Sequence, residues 1–317
     1  MVVEPGTFAS ASVRAVPKRE GLLGERLTAI TPHLVLAPSL LASFVYVFVF
    51  SGWTIWISLS NSTILPDYTL SGFHQYVELW SNVRWRIAYT NLFLFGSLYV
   101  VGTTAIGLLL AILIDQRIRA EALWRTIYLY PLAVSFIVTG TVWRWLLSPS
   151  TGIESLVHQL GWTSFKFDWL VNREMAIYTV VITGIWQASG FVMVLFLAGL
   201  RSVDPDLIKA AQIDGASMPR IYRRIILPAI GPIFVAVLVV LLQSAIKIFD
   251  LVVALTGGGP GIATTVPSIY VYDLIFQRGQ MAEGAAAAMM ILFALLLVLV
   301  PYMIWSNWRL RREANRA

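Results

Sequence analysis

Residues 209–228 read KAAQIDGASMPRIYRRIILP, a polar and basic stretch between two long apolar segments, Ala176–Leu200 and Ala229–Leu255. A helix needs about 20 apolar residues to cross the roughly 30 Å hydrocarbon core of a bilayer, and each flanking segment is long enough. The pattern predicts two membrane-spanning helices joined by a charged loop at the membrane surface.

The chain as a whole has the composition of an integral membrane protein. Its 317 residues are 58% hydrophobic and only 13% charged, with a mean hydropathy of +0.75, which is too apolar for a soluble protein. Backbone groups in lipid must be hydrogen-bonded within their own segment, and no segment shows the alternating polarity of a β-barrel. We therefore predict an all-α membrane fold with six transmembrane helices at Leu34–Ser60, Asn91–Ile114, Trp124–Leu147, Ala176–Leu200, Ala229–Leu255 and Ala286–Trp308.

The distribution of positive charge predicts the orientation of these helices. Sixteen of the 23 Lys and Arg residues lie in the N-terminal tail 1–33, the turn 116–125, the loop 201–228 and the C-terminal tail 309–317, against five on the opposite side. Because positive charge stays on the cytoplasmic side, both termini are expected in the cytoplasm, with the six-helix domain at 34–308. The net charge of +6 then reflects topology and not an affinity for nucleic acid.

Motifs for catalysis, metal binding or nucleotide binding are absent from the sequence. There is no cysteine, the three histidines are far apart, and neither G-x-S-x-G nor H-E-x-x-H occurs, which disfavours a membrane-embedded enzyme. The glycine-rich run 257–261 is followed by Ala263 and Thr264, where a phosphate loop needs Lys and Ser or Thr. We expect no catalytic residue, metal or cofactor in this chain and an external loop at 257–261.

The loop 201–228 has the signals of two short helices joined by a glycine turn. Asp204 followed by Pro205 is typical of a helix start, Gly215 of a left-handed stop, and Ser217 with Pro219 of a second start. Small alanines in the first helix permit close approach, so the loop suits docking into a groove of another protein. The alternative is a loop whose arginines only set the topology.

The spacing within this loop resembles that of the permease subunits of binding-protein-dependent ABC importers. Their cytoplasmic loop carries Glu-Ala-Ala, three residues, Gly, nine residues and then Ile-x-Leu-Pro, and Lys209 stands here in place of the usual Glu, with the opposite charge. The resemblance implies a type I ABC importer permease fold and a coupling helix that docks on the ATPase. The implied ATPase-coupling residues are Lys209, Ala210, Ala211, Asp214, Gly215, Ala216, Arg220, Leu227 and Pro228, with Ile225 also in register.

Further strings, among them TIYLYP at 126–131 and LTGGGP at 255–260, are similar to those of carbohydrate-uptake permeases. SLSNST at 58–63 resembles permeases for glucose, mannose or α-glucosides. The resemblance implies import of a glucose- or mannose-like monosaccharide or short glycoside across the bacterial inner membrane. It also implies a second homologous permease, two copies of an ATPase subunit holding ATP and Mg, a periplasmic binding protein and surrounding lipid.

A translocation site for sugar needs groups that bond hydroxyls and aromatic rings that stack on C–H faces. The fourth span offers Trp186, Gln187 and Phe191, and the fifth offers Gln243, Lys247 and Asp250 at helical spacing, which predicts a single polar stripe. Asn91 and Ser135 are weaker candidates. The alternatives are a structural ion pair between Lys247 and Asp250, packing alone for Trp186, and interhelical hydrogen bonds from Asn91 and Ser135.

An ion-coupled secondary sugar carrier working without an ATPase is the alternative function. Carriers of that class often have internal repeats and broken helices, and neither is evident in this sequence. The loop 201–228 would have no role in such a carrier.

Overall fold

The computed structural model describes residues 36–116 and 118–314, which divide into two units, Met1–Trp53 and Thr54–Ala317. In the first unit, the described residues 36–53 belong to helix α1, Leu36–Ser58. This part of α1 carries no charged residue, and its side chains are almost all exposed, as expected of a helix surrounded by lipid. The predicted N-terminal tail 1–33 lies outside the described residues, as do 315–317 at the other end.

The second unit is built from helices. In chain order they are α2 His74–Ser81, α3 Val83–Asp115, α4 Glu121–Ala133, α5 Phe136–Leu146, α6 Ile153–Gln159, α7 Ala176–Ser202, α8 Pro205–Ile213, α9 Met218–Ala229, α10 Gly231–Ile246, α11 Phe249–Leu255, α12 Pro267–Tyr272 and α13 Met281–Ala314. Helices α1, α3, α7 and α13 are each long and apolar enough to cross a membrane. The pairs α4–α5 and α9–α10 can each cross the membrane as one bent span. With these two pairs the described residues contain up to six spans, which confirms the predicted all-α membrane fold.

The predicted third span is not the single helix Trp124–Leu147. Val134 and Ser135 separate α4 from α5, whose axes differ by 99°. Pro131 lacks the N–H that would bond to the preceding turn, and the Ser135 hydroxyl caps α5 by accepting a hydrogen bond from the Val138 N–H at 3.3 Å. The prediction of one helix is wrong because a proline and an N-cap serine act together to end one helix and start the next.

The predicted fifth span, Ala229–Leu255, is interrupted twice. Helices α9 and α10 meet at Ile230 with a bend of 66°, and α10 has a proline in its first turn. At its other end α10 stops at Ile246, where the Phe249 N–H donates to the Lys247 carbonyl at 2.8 Å around Ile248, in the manner of an inverse γ-turn. The segment is therefore two short helices, α10 and α11, rather than one.

This second break also corrects the predicted stripe of Gln243, Lys247 and Asp250. The helical spacing i, i+4, i+7 requires one continuous helix, but Gln243 lies in α10, Lys247 follows its end and Asp250 is in the first turn of α11. The prediction of a single stripe on one helix is wrong because the tight turn at Ile248 interrupts the helix between the two charges.

Helix α7 forms the centre of the second unit. It packs along α3 and against α4, and its side chains Val180, Met193 and Phe196 are completely buried. The closest approach is at Gly190, where a Cβ atom would collide with the main-chain carbonyl of Tyr128 in α4. Helix α5 packs instead against α11, so the two parts of the broken third span have different neighbours.

Candidate functional site

A cavity of about 150 Å³ lies where the two broken spans meet α3 and α7. It is smaller than the roughly 300–1,000 Å³ of most ligand sites. Aromatic, small and charged side chains occur together in its wall. The lining residues are Tyr99, Phe136, Gly184, Ser244, Lys247, Ile248, Asp250 and Leu251.

Lys247 and Asp250 are the charged residues of this wall. Both are exposed, and among residues 36–116 and 118–314 no ion pair joins them, so the alternative of a structural bridge between them is not observed. A charge at the centre of a span costs about 2.5–3.5 kcal/mol on insertion scales, which favours a water-filled or protein-lined setting. Their position in the cavity wall provides such a setting.

Gln187 lies at the break in the third span. Its side chain is 4% exposed, and its Nε2 donates a hydrogen bond to the Val134 carbonyl at 2.8 Å. The Oε1 atom of the same side chain is buried and has no hydrogen-bond partner. Gln187 therefore donates to the Val134 carbonyl, which the helix break leaves without a helical donor. Its own Oε1 remains an unused acceptor beside the same break.

The other predicted substrate residues are dispersed. Asn91 is buried and donates from Nδ2 to the carbonyls of Ala263 and Thr265 at 2.8 and 2.9 Å, so it holds the loop after α11. Trp186 is 42% exposed and packs edge-to-face on Trp143 at 5.6 Å. The cavity wall includes none of Asn91, Ser135, Trp186, Gln187, Phe191 or Gln243, although Ser135 directly precedes Phe136 of that wall.

The loop 201–228 has the local structure that the sequence predicts. Asp204 caps α8 by accepting a hydrogen bond from the Asp206 N–H at 2.9 Å, and Pro205 is in the first turn. Gly215 has φ +77°, the left-handed conformation that ends α8, and α9 starts after Ser217. Two helices joined by a glycine turn are thus confirmed.

The same loop has an inner and an outer side. Ile208, Ala211 and Ala216 pack against the main core, whereas Leu207 and Ile213 are 55% and 86% exposed. Of the predicted coupling residues, Leu227 is half-buried against the core, and Lys209, Ala210, Asp214, Gly215, Arg220 and Pro228 are exposed. Sequence analysis did not single out Leu207 and Ile213, which are exposed apolar side chains within a polar loop.

Lys209 bonds within its own helix. Its Nζ lies 2.9 Å from Oδ1 of Asp206, and both side chains are largely exposed. Such a pair contributes little to stability, because exposed ion pairs are screened by water. Lys209, which stands where the family usually has Glu, is thus paired with the carboxylate of Asp206, three residues earlier.

An ion-pair network fixes the start of this loop to the neighbouring helices. Arg201, at the end of α7, lies 3.5 Å from Asp115 at the end of α3 and 2.9 Å from Glu121 at the start of α4. Gln116 further donates to the Tyr222 hydroxyl in α9 at 3.2 Å. The ends of α3 and α7, the start of α4 and the second loop helix are therefore connected at one end of the unit.

Comparison with known proteins identifies this architecture. Residues 103–308 match the family described as binding-protein-dependent transport system inner membrane component, and the chain belongs to this family. It is a permease subunit of a sugar ABC importer and not an enzyme, and ATP hydrolysis takes place in a separate subunit. This membership favours the importer over the ion-coupled carrier.

Individual relatives support the assignment. A probable ABC transporter permease protein of Pyrococcus horikoshii is 38% identical over 276 residues, which cover 86% of this chain and 94% of the relative. The xylose/arabinose import permease protein of Haloferax volcanii is 37% identical over 247 residues, 76% of each chain. Among solved structures, this chain is similar to one from a bacterial alginate ABC transporter, crystallised in complex with an alginate pentasaccharide-bound periplasmic protein. The two are 25% identical with a TM-score of 0.71, and the match covers 86% of this chain and 94% of the other.

Proposed function

We propose that this subunit imports a glucose- or mannose-like monosaccharide or a short glycoside, and that the cavity around Lys247 and Asp250 is its half of the translocation site. The observation that carries the proposal is one cavity wall that combines Tyr99 and Phe136 with two charges, Lys247 and Asp250, for which the described part of the chain supplies no ion-pair partner. Charged and hydroxyl groups bond sugar hydroxyls, and aromatic rings stack on the C–H faces of the sugar. A second permease would supply the remaining wall.

The loop 201–228 is the proposed docking element for the ATPase. Its exposed apolar residues Leu207 and Ile213 resemble the buried anchors of protein interfaces, and its inner side is packed on the core through Ile208 and Ala211. Movement of the ATPase, which holds ATP and Mg, would be transmitted through this packing and through the Arg201 ion pairs to α3, α4 and α7. Lys209 makes its ion pair with Asp206 and needs no partner on the ATPase.

The proposed orientation has both termini and the loop 201–228 in the cytoplasm. The segments between α5 and α7 and between α11 and α13 then face the periplasm, where a binding protein delivers the sugar. The distribution of Lys and Arg supports this orientation.

The test is purification of the complex from detergent-solubilised membranes, followed by ATPase assays with candidate sugars and their binding protein. We expect a second permease and an ATPase to be recovered, with hydrolysis stimulated by the binding protein loaded with one glucose- or mannose-type sugar. Stimulation only by an unrelated solute would contradict the proposed substrate and leave the importer assignment in place.

A further inference from the structure

The side chain of Asn91 connects α3 to the loop that follows α11. Asn91 is 8% exposed, and its Nδ2 donates to the Ala263 carbonyl at 2.8 Å and to the Thr265 carbonyl at 2.9 Å. A side-chain amide has two N–H donors, so both are used on this one segment of main chain. We call residues 256–265 the threonine loop, after its buried Thr264 and Thr265.

Hydrogen bonds continue from the threonine loop into α11. The Thr264 hydroxyl lies 2.7 Å from the Thr256 hydroxyl, which in turn donates to the Val252 carbonyl of α11 at 3.0 Å. The Gly257 N–H donates to the same carbonyl at 2.9 Å. A path of hydrogen bonds and short main-chain segments thus runs from Asn91 in α3 to a residue that lies one turn of helix or less from Asp250.

Helix α11 depends on such a connection because its own chain does not fix its position. The turn at Ile248 separates it from α10, and α11 packs on α5, where Gly140 brings the two backbones close together. Helix α5 is itself separated from α4 by the break in the third span. Apolar packing also buries Leu251 and Val252, but such packing is non-directional, whereas hydrogen bonds fix orientation.

Helix α3 carries both the anchor and one wall of the cavity. Tyr99, which lines the cavity, lies eight residues after Asn91, about 12 Å further along the helix. The ring of Phe95, between them, stacks on Tyr99 with centroids 5.1 Å apart. Because Asp250 and Leu251 of α11 line the same cavity, the bonds of Asn91 help to fix the separation of its two walls.

We propose that Asn91 is a positioning residue of the translocation site: through the threonine loop it holds α11 against α3, so that Asp250 stays at a fixed distance from Tyr99. The inference rests on the proposed function, because it needs this cavity to bind the sugar. Asn91 contacts no sugar in this role. It acts through Asp250, whose fixed position leaves less freedom to be lost when sugar binds.

The first test measures uptake by the complete importer in proteoliposomes, with glucose, mannose or maltose presented at increasing concentrations of binding protein. Asn91→Leu removes both donors with little change in size. Thr103→Val is the matched control, because Thr103 is also buried in α3 and its hydroxyl has no hydrogen-bond partner among the described residues.

We expect Asn91→Leu to lower the maximal uptake rate by about tenfold, the effect of losing one or two hydrogen bonds. The concentration of binding protein that gives half-maximal uptake should stay unchanged, because the cavity acts after docking. The control should behave like the wild type. Equal maximal rates for Asn91→Leu and the wild type overturn the proposal.

A double variant separates positioning from general stability. If Asn91 acts through Asp250, adding Asn91→Leu to Asp250→Asn should change uptake by less than about twofold, because the charge that it positions is already gone. A purely structural role predicts losses that multiply, to about a hundredfold, and that result overturns the proposal. Normal uptake by Asp250→Asn alone also overturns it.

The second test measures the position of α11 directly. The chain has no cysteine, so Val101→Cys on α3 and Val253→Cys on α11, at residues 68% and 43% exposed, can be spin-labelled in an importer whose other subunits are also free of cysteine. Pulsed EPR should give a narrow distance distribution that Asn91→Leu broadens or shifts and Thr103→Val leaves unchanged. Identical distributions with and without Asn91→Leu overturn the proposal.

Two provisions keep the outcomes distinct. If Asn91→Leu does not assemble, Thr256→Val, which interrupts the path beside α11, replaces it in both tests with the same expected results. Failure of the wild type to import any of the three sugars refutes the proposed function, and the spin-label distances then decide whether Asn91 positions α11.

Discussion

The side-chain amide of Gln187 in α7 donates a hydrogen bond to the main-chain carbonyl of Val134, 2.8 Å away, at the point where the third span turns by 99°. A helix break inside a membrane protein leaves carbonyls without their helical donors, and other groups must satisfy them. Gln187 does this for Val134. The bond connects a central, buried helix to the beginning of α5, which also supplies Phe136 to the cavity wall.

Replacing Gln187 with Leu should therefore lower both stability and uptake. The substitution leaves the partly buried Val134 carbonyl without this donor, which costs up to about 1–3 kcal/mol. Thermal denaturation of the purified complex and uptake into proteoliposomes measure the two effects. Thr183→Val is the control, because the Thr183 hydroxyl bonds to the Thr179 carbonyl of its own helix, 2.8 Å away, and its loss should cost less. Equal effects of both substitutions would contradict a special role of Gln187.

The close approach of α7 and α4 should make Gly190 intolerant of any side chain. A Cβ atom there meets the rigid main chain at Tyr128, so Gly190→Ala should separate the helices and cost at least the 1–3 kcal/mol typical of overpacking. Gly102→Ala meets only the flexible end of Ile185 and should be milder. The yield of folded complex in size-exclusion chromatography compares them. A Gly190→Ala protein as abundant as the wild type would contradict this packing.

Gly215 should be essential for coupling but not for insertion into the membrane. Nothing lies within 4 Å of a Cβ atom at this position, so the effect of Gly215→Val comes from its left-handed backbone at φ +77°, which costs a β-branched residue roughly 1–2 kcal/mol or more. We expect normal membrane levels but more ATP hydrolysed per sugar imported.

Gly231→Ala provides the control for this experiment. Gly231 has equally open surroundings but lies in the first turn of α10, where alanine is favourable. An unchanged ratio of ATP hydrolysed to sugar imported in Gly215→Val would count against docking through the loop 201–228.

The charges of the cavity should affect sugar binding rather than assembly. Lys247→Gln and Asp250→Asn remove each charge while retaining its approximate size, and each removes a charge-assisted hydrogen bond worth about 1.5–3 kcal/mol if the group contacts the sugar. Uptake is expected to fall by about tenfold or more, with normal recovery of the ATPase subunit. Thr90→Ala in α3, outside the cavity wall, is the control. Normal kinetics for both charge variants would exclude this cavity as the site.

Sequence reasoning predicted the number of spans, the two loop helices and the position of Gly215, because those features depend on local composition and backbone preference. It did not predict the break at Val134, whose side-chain partner Gln187 is 53 residues away. The turn at Ile248 has neither proline nor glycine as a signal, so the continuous stripe of Gln243, Lys247 and Asp250 was the natural expectation. Nor does the sequence reveal that Asn91 donates hydrogen bonds to the carbonyls of Ala263 and Thr265, which lie 172 and 174 positions further along the chain.

These breaks also change how carriers and importers are distinguished. The sequence showed no broken helices, and their absence was one argument against an ion-coupled carrier. The structure has two bent spans, so broken helices do not separate the two classes here, and the loop 201–228 together with the family match does. Local sequence signals identify the loop because its capping residues are close together along the chain.

The most direct test of the account is sugar uptake by proteoliposomes that contain both permeases and the ATPase, with binding protein outside and either ATP inside or an imposed proton or sodium gradient. The account predicts uptake only with ATP and binding protein together, and loss of that uptake when the ATPase cannot hydrolyse ATP. Uptake driven by an ion gradient without ATP would contradict it.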